Sequence, residues 1–244
     1  MNHRNTRLAL SVSDLALLDS APAMPQASSA DPTITEEIVV TAQRRSENIR
    51  DVPFAVTALG GKTLAAVSAG GGDVLSLSAR VPSLQIESSN GRYAPRFYIR
   101  GLGNVDFDFN ASQPVSVVLD DVVLENVFLK GFPLFDVGQV EVLRGPQGTL
   151  FGRNTPAGVV KIDTVKPGES LGGFGSLAYG NLGAVRAETG VTIPVNDTLS
   201  VRVAGLWNHR DDWVNNAYNP SFAGSGDDLG GFDDVAARVH VAFK

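Results

Sequence analysis

Two hydrophobic rhythms divide this chain near Lys166-Pro167-Gly168. Beyond that point apolar and polar residues alternate, the spacing at which successive side chains take opposite faces of a β-strand. Val185, Ala187, Thr189, Val191 and Ile193 share one face, opposite Arg186, Glu188 and Thr192. Leu199, Val201, Val203 and, through Gly205, Trp207 alternate with Ser200, Arg202, Ala204 and Asn208. Val235, Ala237, Val239, Val241 and Phe243 alternate with Arg238, His240 and Lys244. With Phe174–Tyr179 these make four predicted strands, near the roughly 9–11 residues of a tilted membrane-crossing strand. Confining charge to one face and apolar residues to the other favours a barrel wall over the edge of a soluble sandwich.

Upstream the apolar runs are shorter and more heavily punctuated. Phe54-Ala55-Val56-Thr57 predicts a strand, followed by a helix near Lys62–Ser68 that Gly70-Gly71-Gly72 breaks. A second helix is predicted from an Asp73 N-cap to about Ala79, with Val74, Leu75 and Leu77 as its apolar positions, ended by Val81-Pro82. Arg96–Arg100 alternates, so Arg96, Tyr98 and Arg100 face away from Phe97 and Ile99. Val115–Leu119 and Val122–Leu124 flank Asp120-Asp121 as a hairpin, although a tight turn there favours glycine for positive φ. Val140–Leu143 is a strand that stops at Arg144 and turns through Gly145-Pro146, and Val159–Thr164 is another.

Composition narrows the function classes. The chain has 244 residues, a net charge of −6, 43% apolar residues and 26 glycines, which is neither a basic nucleic-acid binder nor a polar tail. Without cysteine it has no disulfides, thiol nucleophile or iron–sulfur ligands. No apolar run reaches the roughly 18 residues of a spanning helix, so any membrane crossing falls to strands. Arg4 and Arg7 ahead of Leu8-Ala9-Leu10-Ser11-Val12, with Ala21-Pro22-Ala23 as a small-x-small site, outline a secretory signal within residues 1–30. Asp14 and Asp19 interrupt it, and a polar tail is the other reading. Residues 31–50 read as a linker carrying one β-prone segment, Glu36-Glu37-Ile38-Val39-Val40-Thr41-Ala42. Standing alone it has no sheet to join. It is either an edge strand or a strand offered to another protein for backbone pairing.

Candidate chemistry is sparse. No Gly-Lys-Ser/Thr is present, and Gly101-Leu102-Gly103 lacks the third glycine of a dinucleotide fingerprint. Asp106-x-Asp108-x-Asn110 begins like a calcium loop, but Ala111 replaces its glycine and Val117 its closing glutamate. His3, His209 and His240 have no metal-ligand spacing, and the hydroxyl residues have no elbow motif. Nothing in these residues supports an enzyme, a cofactor or a metal site.

The run Val140-Glu141-Val142-Leu143-Arg144-Gly145-Pro146-Gln147-Gly148-Thr149-Leu150-Phe151-Gly152 resembles the signature of the plug domain of TonB-dependent outer-membrane receptors. Ile99-Arg100-Gly101 matches that family's I-R-G strand, and Val52–Ile86 is similar to the first half of its plug. Asp120-Asp121 stands where the family usually has Asp-Gly. The resemblance implies an α+β plug, a small mixed sheet with short helices, over residues 51–168. Antiparallel strands of an incomplete transmembrane β-barrel would come next, over 169–244. Glu37, Ile38, Val39, Val40, Thr41 and Ala42 look like the TonB box, the segment gripped by the inner-membrane energy transducer TonB. Arg100 and Arg144 would lie between plug and wall, their glutamate partners falling beyond Lys244. Tyr93, Asn104, Asp106, Phe107 and Asp108 would face the ligand, although a solvated loop reads as well.

The resemblance implies energised uptake of a scarce nutrient across the Gram-negative outer membrane, usually a ferric siderophore, sometimes cobalamin or a carbohydrate. Four strands cannot close a barrel, since the smallest need about 8. The chain on this reading is a fragment, a truncated product or one part of a split receptor. The alternative is a soluble periplasmic plug-like module, or degraded gene product, that binds TonB without transporting.

Overall fold

A computed structural model describes residues 38–68, 72–89, 91–106, 108, 110–216 and 229–244. The expected export signal, Glu37 and Phe107 lie outside them. In chain order the elements begin with β1 (Val39–Val40), β2 (Glu47–Asn48), β3 (Val56–Gly60) and α1 (Gly61–Ser68). Next come a 3-10 helix (Val74–Ala79), β4 (Leu84–Glu87), β5 (Arg96–Ile99), β6 (Val115–Leu119) and β7 (Val122–Leu124). A second 3-10 helix (Val127–Lys130), β8 (Val137–Arg144), α2 (Gly148–Phe151) and β9 (Gly158–Thr164) complete the first part.

The centre of that part is a five-stranded mixed sheet, ordered β3-β8-β9-β6-β7, in which only β6 and β9 run parallel. Both faces are covered, which is why its strands read as continuous apolar runs rather than alternating ones. On one face Val115, Val117, Val140, Val142, Val160 and Ile162 pack against α1, the first 3-10 helix and the β4–β5 hairpin. On the other, Val118, Leu143 and Val159 pack with Phe151 and with Val40 and Ala42 of the N-terminal segment. That segment therefore has both a sheet to cover and a strand to pair with. Val39 and Val40 oppose Asn48 and Glu47, a partner too short and too charged to show as a strand in the sequence.

Local chemistry explains the remaining departures. The Asp73 carboxylate caps as expected, accepting the Leu75 N–H at 2.9 Å, but the helix it opens is a 3-10 turn. β4 was hidden by the proline that ends the helix before it. The first strand runs 56–60 rather than 54–57. At the Asp120-Asp121 turn both residues take positive φ (47° and 69°), so two aspartates occupy the conformation usually left to glycine.

The second part consists of β10 (Gly172–Tyr179), β11 (Val185–Pro194), β12 (Leu199–Arg210) and β13 (Phe232–Phe243), antiparallel neighbours in chain order. Its burial is inverted relative to a soluble sheet. Arg186, Thr192, Arg202 and Asn208 are buried beneath the first part, whereas Val203, Trp207, Val235, Val239, Val241 and Phe243 are exposed. A polar face against protein and an apolar face outward is the arrangement of a membrane barrel wall. No barrel closes among the described residues: β10 and β13 are both edges.

The connections give the wall a direction. Residues 195–198 join β11 to β12 at one end, while β10 ends and β11 begins, and β12 ends and β13 begins, at the other, the β12–β13 connection being the longer in sequence. Outer-membrane barrels put short turns in the periplasm and long loops outside. The chain leaves β9 and enters β10 at the short-turn end, where Asp120-Asp121 and the N-terminal segment also lie. The starts of β6 and β9 and the end of β7 occupy the opposite end.

Candidate functional site

Residues 38–42 form a strap across the central sheet. Ile38 and Val39 are about half exposed, whereas Val40 and Ala42 are fully buried. Thr41, between those two anchors, is held by three charged side chains that the sheet alternation projects to the same face. Its N–H donates to Glu141 Oε1 at 2.6 Å, and its hydroxyl lies 3.1 Å from Glu141 Oε1 and from Asp163 Oδ2. Lys161 Nζ donates to the same hydroxyl at 2.7 Å and is paired with Asp163. Gln139 Nε2 donates to the Val39 carbonyl at 2.9 Å. Burial pushes the Glu141 carboxyl above its usual value, with the Thr41 hydrogen bonds and the Lys161 charge pulling the other way.

Among the described residues the seam between the first part and β10–β13 has three groups of polar contacts. In the middle, the Asp136 carboxylate receives the Arg202 guanidinium in a two-pronged pair (Nε to Oδ2, 2.8 Å), with Asp136 1% and Arg202 8% exposed. Arg202 also donates to Thr192 Oγ1 at 2.8 Å. Around it, Arg186 donates to the Leu134 carbonyl (2.8 Å) and Arg238 to the Phe135 carbonyl (2.7 Å), while the Asp136 N–H donates to Glu188 (2.8 Å). Gly190 makes room for this cluster, since a Cβ there would meet Arg202 Nη2 at 2.6 Å and Phe174 Cε1 at 2.8 Å.

At the short-turn end, Asp120 accepts the Thr164 N–H (2.9 Å) and hydroxyl (2.6 Å) and pairs with Lys166, and His240 Nε2 lies 3.6 Å from its Oδ2. Burial opposes the Asp120 charge, but the Lys166 and Thr164 hydrogen bonds outweigh it and hold the carboxyl below its ordinary value. At the long-loop end, Arg92 pairs with Asp73 (2.9 Å), approaches Asp234 (3.8 Å) and covers the Phe232 ring at 4.3 Å.

The motif arginines sit elsewhere. Arg100 is exposed at the end of β5 with φ 53°, and Arg144 donates to Thr57 Oγ1 beside β3. Neither has a hydrogen bond or ion pair with β10–β13 among the described residues. The signature's glycines do provide the turn, with Gly145 at φ 103° and Gly152 at φ 79°, whereas Gly148 opens α2. Arg96 is the buried arginine of β5, donating to the Val105 carbonyl at 3.3 Å beside Glu87. Alternation alone gave no sign of that burial, which comes from the loop folding back over the strand.

Tyr93 is exposed and stacks on Phe128 with ring centroids 6.4 Å apart. Asn104, Asp106 and Asp108 each accept the backbone N–H two residues on, at 2.9–3.0 Å. Their carboxylates and amide thus shape the loop, and the described residues contain no cluster of three metal-ligating side chains.

The comparisons agree with this geometry. Residues 48–159 match the family described as TonB-dependent Receptor Plug Domain. The pesticin receptor of Yersinia enterocolitica is 29% identical over 216 residues, which are 88% of this chain and 30% of that protein. The iron-regulated outer membrane virulence protein of Vibrio cholerae is 29% identical over 218 residues, 84% of this chain and 32% of that one. The crystal structure of the ferric yersiniabactin uptake receptor of Yersinia pestis superposes with a TM-score of 0.67 at 26% identity, covering 77% of this chain and 28% of that one. The chain thus spans about a third of the length of the curated relatives it matches. With the signature at the end of β8, residues 48–159 are a TonB-dependent receptor plug domain, seated on the polar face of outward-apolar strands in a chain similar to the outer-membrane receptors named above.

Proposed function

We propose that this chain supplies the plug, over residues 51–168, and the first wall strands, over 169–244, of a receptor for energised uptake of a ferric siderophore. Residues 1–30 act as its export signal, and residues 37–42 within the linker 31–50 are the segment that TonB grips. The observation that carries this reading is the docked strap. Its outer half, Ile38 and Val39, is exposed at the short-turn end, while Thr41 ties it to the centre of the sheet. A partner strand that pairs with Val39–Val40 displaces β2 on one edge or the Gln139 and Glu141 side chains on the other, and a pull on it acts directly on Glu141 in β8 and on Lys161 and Asp163 in β9. Arg100 and Arg144 brace the plug against wall strands outside this chain. Tyr93, Asn104, Asp106, Phe107 and Asp108 face the incoming ligand.

The test is site-specific crosslinking in outer membranes. A cysteine introduced at Ile38 should crosslink to the periplasmic domain of TonB, and more strongly when ferric yersiniabactin is present. A cysteine at the exposed plug residue Val122 serves as the control. Equal labelling at both positions would overturn the assignment of the strap. Crosslinking that ignores ferric yersiniabactin would leave the strap assigned and remove that cargo.

A further inference from the structure

At the long-loop end of the plug sheet, opposite the strap, lies a polar cavity of about 350 Å³. Its walls come from the residues preceding β6, the segment after β7 and the turn before β9, and Gln113, Ser116, Glu125, Asn154 and Lys130 carry its chemistry. Lys130 closes the short helix that Asn126 caps, so the backbone fixes where its side chain enters. It is only 3% exposed. Among the described residues its ammonium meets one acceptor, Gln113 Oε1, at the long distance of 3.5 Å.

An ammonium carries three donors, and a buried cation with one distant partner is costly. The carboxylate in the same cavity does not satisfy it. Glu125 forms no ion pair with Lys130 among the described residues; its Oε2 instead accepts from Arg153 Nη2 at 3.2 Å and Asn154 Nδ2 at 3.1 Å, and the charges of Lys130, Arg153 and Glu125 sum to one net positive. Burial pulls the Lys130 amine down to about 8, with the Glu125 charge acting in the opposite sense. Ser116 is committed as well, donating to the Asn154 carbonyl at 3.0 Å. The site is therefore short of one negative charge with acceptor oxygens.

We propose that this cavity is an oxyanion site, in which Lys130 binds a carboxylate or phosphate group of a small hydrophilic solute. The volume suits a group the size of citrate or inorganic phosphate, and the amide-rich wall matches a hydroxylated anion better than an apolar one. The site stands without the transport reading, since it needs the cavity and the amine alone. Its position at the end of the loop carrying Asp106 and Asp108 puts it where a solute arriving from the long-loop side first meets the plug.

The experiment is a titration of the 244-residue chain in detergent micelles. The Lys130 side chain is followed by nuclear magnetic resonance and assigned by its loss in Lys130→Met. With saturating citrate or inorganic phosphate, the amine should titrate about one unit higher than in chloride at equal ionic strength, because a tenfold preference of the anion for the protonated form shifts it by that much. Lys130→Arg should retain saturable binding, measured by calorimetry, and Lys130→Met should lose it by at least about tenfold. A titration that neither anion moves would mean a water-filled cavity and overturn the site. So would anion binding to Lys130→Met as tight as to the unaltered chain. A Lys130→Met chain that fails to fold leaves the titration of the unaltered chain to decide, with assignment from Lys130→Arg. Binding of citrate but not phosphate, or the reverse, supports the site and names its class.

Discussion

Single residues in this plug do the work of whole contacts, and Asp120 is the clearest. Its folded carboxyl titrates below the unfolded value of about 3.9, so it contributes stability above that value, lost as pH falls through the folded one. Asp120→Asn keeps an acceptor for the Thr164 N–H and tolerates the positive φ of the turn, which isolates the charge. The variant should melt lower than the parent at neutral pH, and the two curves should converge under acid. Parallel curves from neutral pH to pH 3 or so would remove Asp120 as the acid-sensitive contact. The turn was legible in the sequence as a hairpin between two apolar runs, but its second partner was not. Nothing in Asp120-Asp121 announces that Thr164 at the end of β9, Lys166 just past it and His240 of β13 converge on the first aspartate.

At the scale of elements, the period-two rhythm of β11–β13 already assigned Arg186, Arg202 and Arg238 to one face, and that face is the one the plug covers. What the rhythm left open was the partner. Asp136 sits in an irregular segment before β8 with φ 49°, where no periodicity points. The plug signature points to Arg100 and Arg144 instead. The Asp136–Arg202 pair is buried, and removing one partner of such a pair costs about 3–5 kcal/mol because the other charge is stranded. Arg202→Met should cost about 3 kcal/mol or somewhat less in urea unfolding, because Arg238 Nη2 stays 3.9 Å from Asp136 Oδ2 and partly compensates the stranded charge. Gly190→Ala, which forces a Cβ between Arg202, Phe174 and Asp136, should cost about 1–3 kcal/mol by overpacking. In the double variant the Gly190→Ala penalty should shrink, since methionine yields where the paired guanidinium does not. Strictly additive costs would show that Gly190 matters for the strand and not for the seam.

At the scale of the whole molecule, the rival to a membrane receptor is a soluble plug-like module, and the two differ in what bathes the outer face of β10–β13. The inverted burial argues for lipid. An aqueous sheet would not expose Val203, Trp207, Val235, Val239, Val241 and Phe243 while burying Arg186 and Arg202. Val239 tests this, because it is 61% exposed and opposes Val203 near the middle of β12 and β13. In lipid, Val239→Arg should lower unfolding stability in phospholipid vesicles by about 2–4 kcal/mol, the cost of a cation on the lipid face of a barrel near its midplane. In water the same change on an exposed strand should stay within about 0.5 kcal/mol. Val122→Arg, on an exposed plug strand, supplies the aqueous reference within one molecule. A large loss at Val239 with none at Val122 assigns β10–β13 to the bilayer. Indifference at both would assign the chain to the periplasm and make the apolar face a surface for another protein.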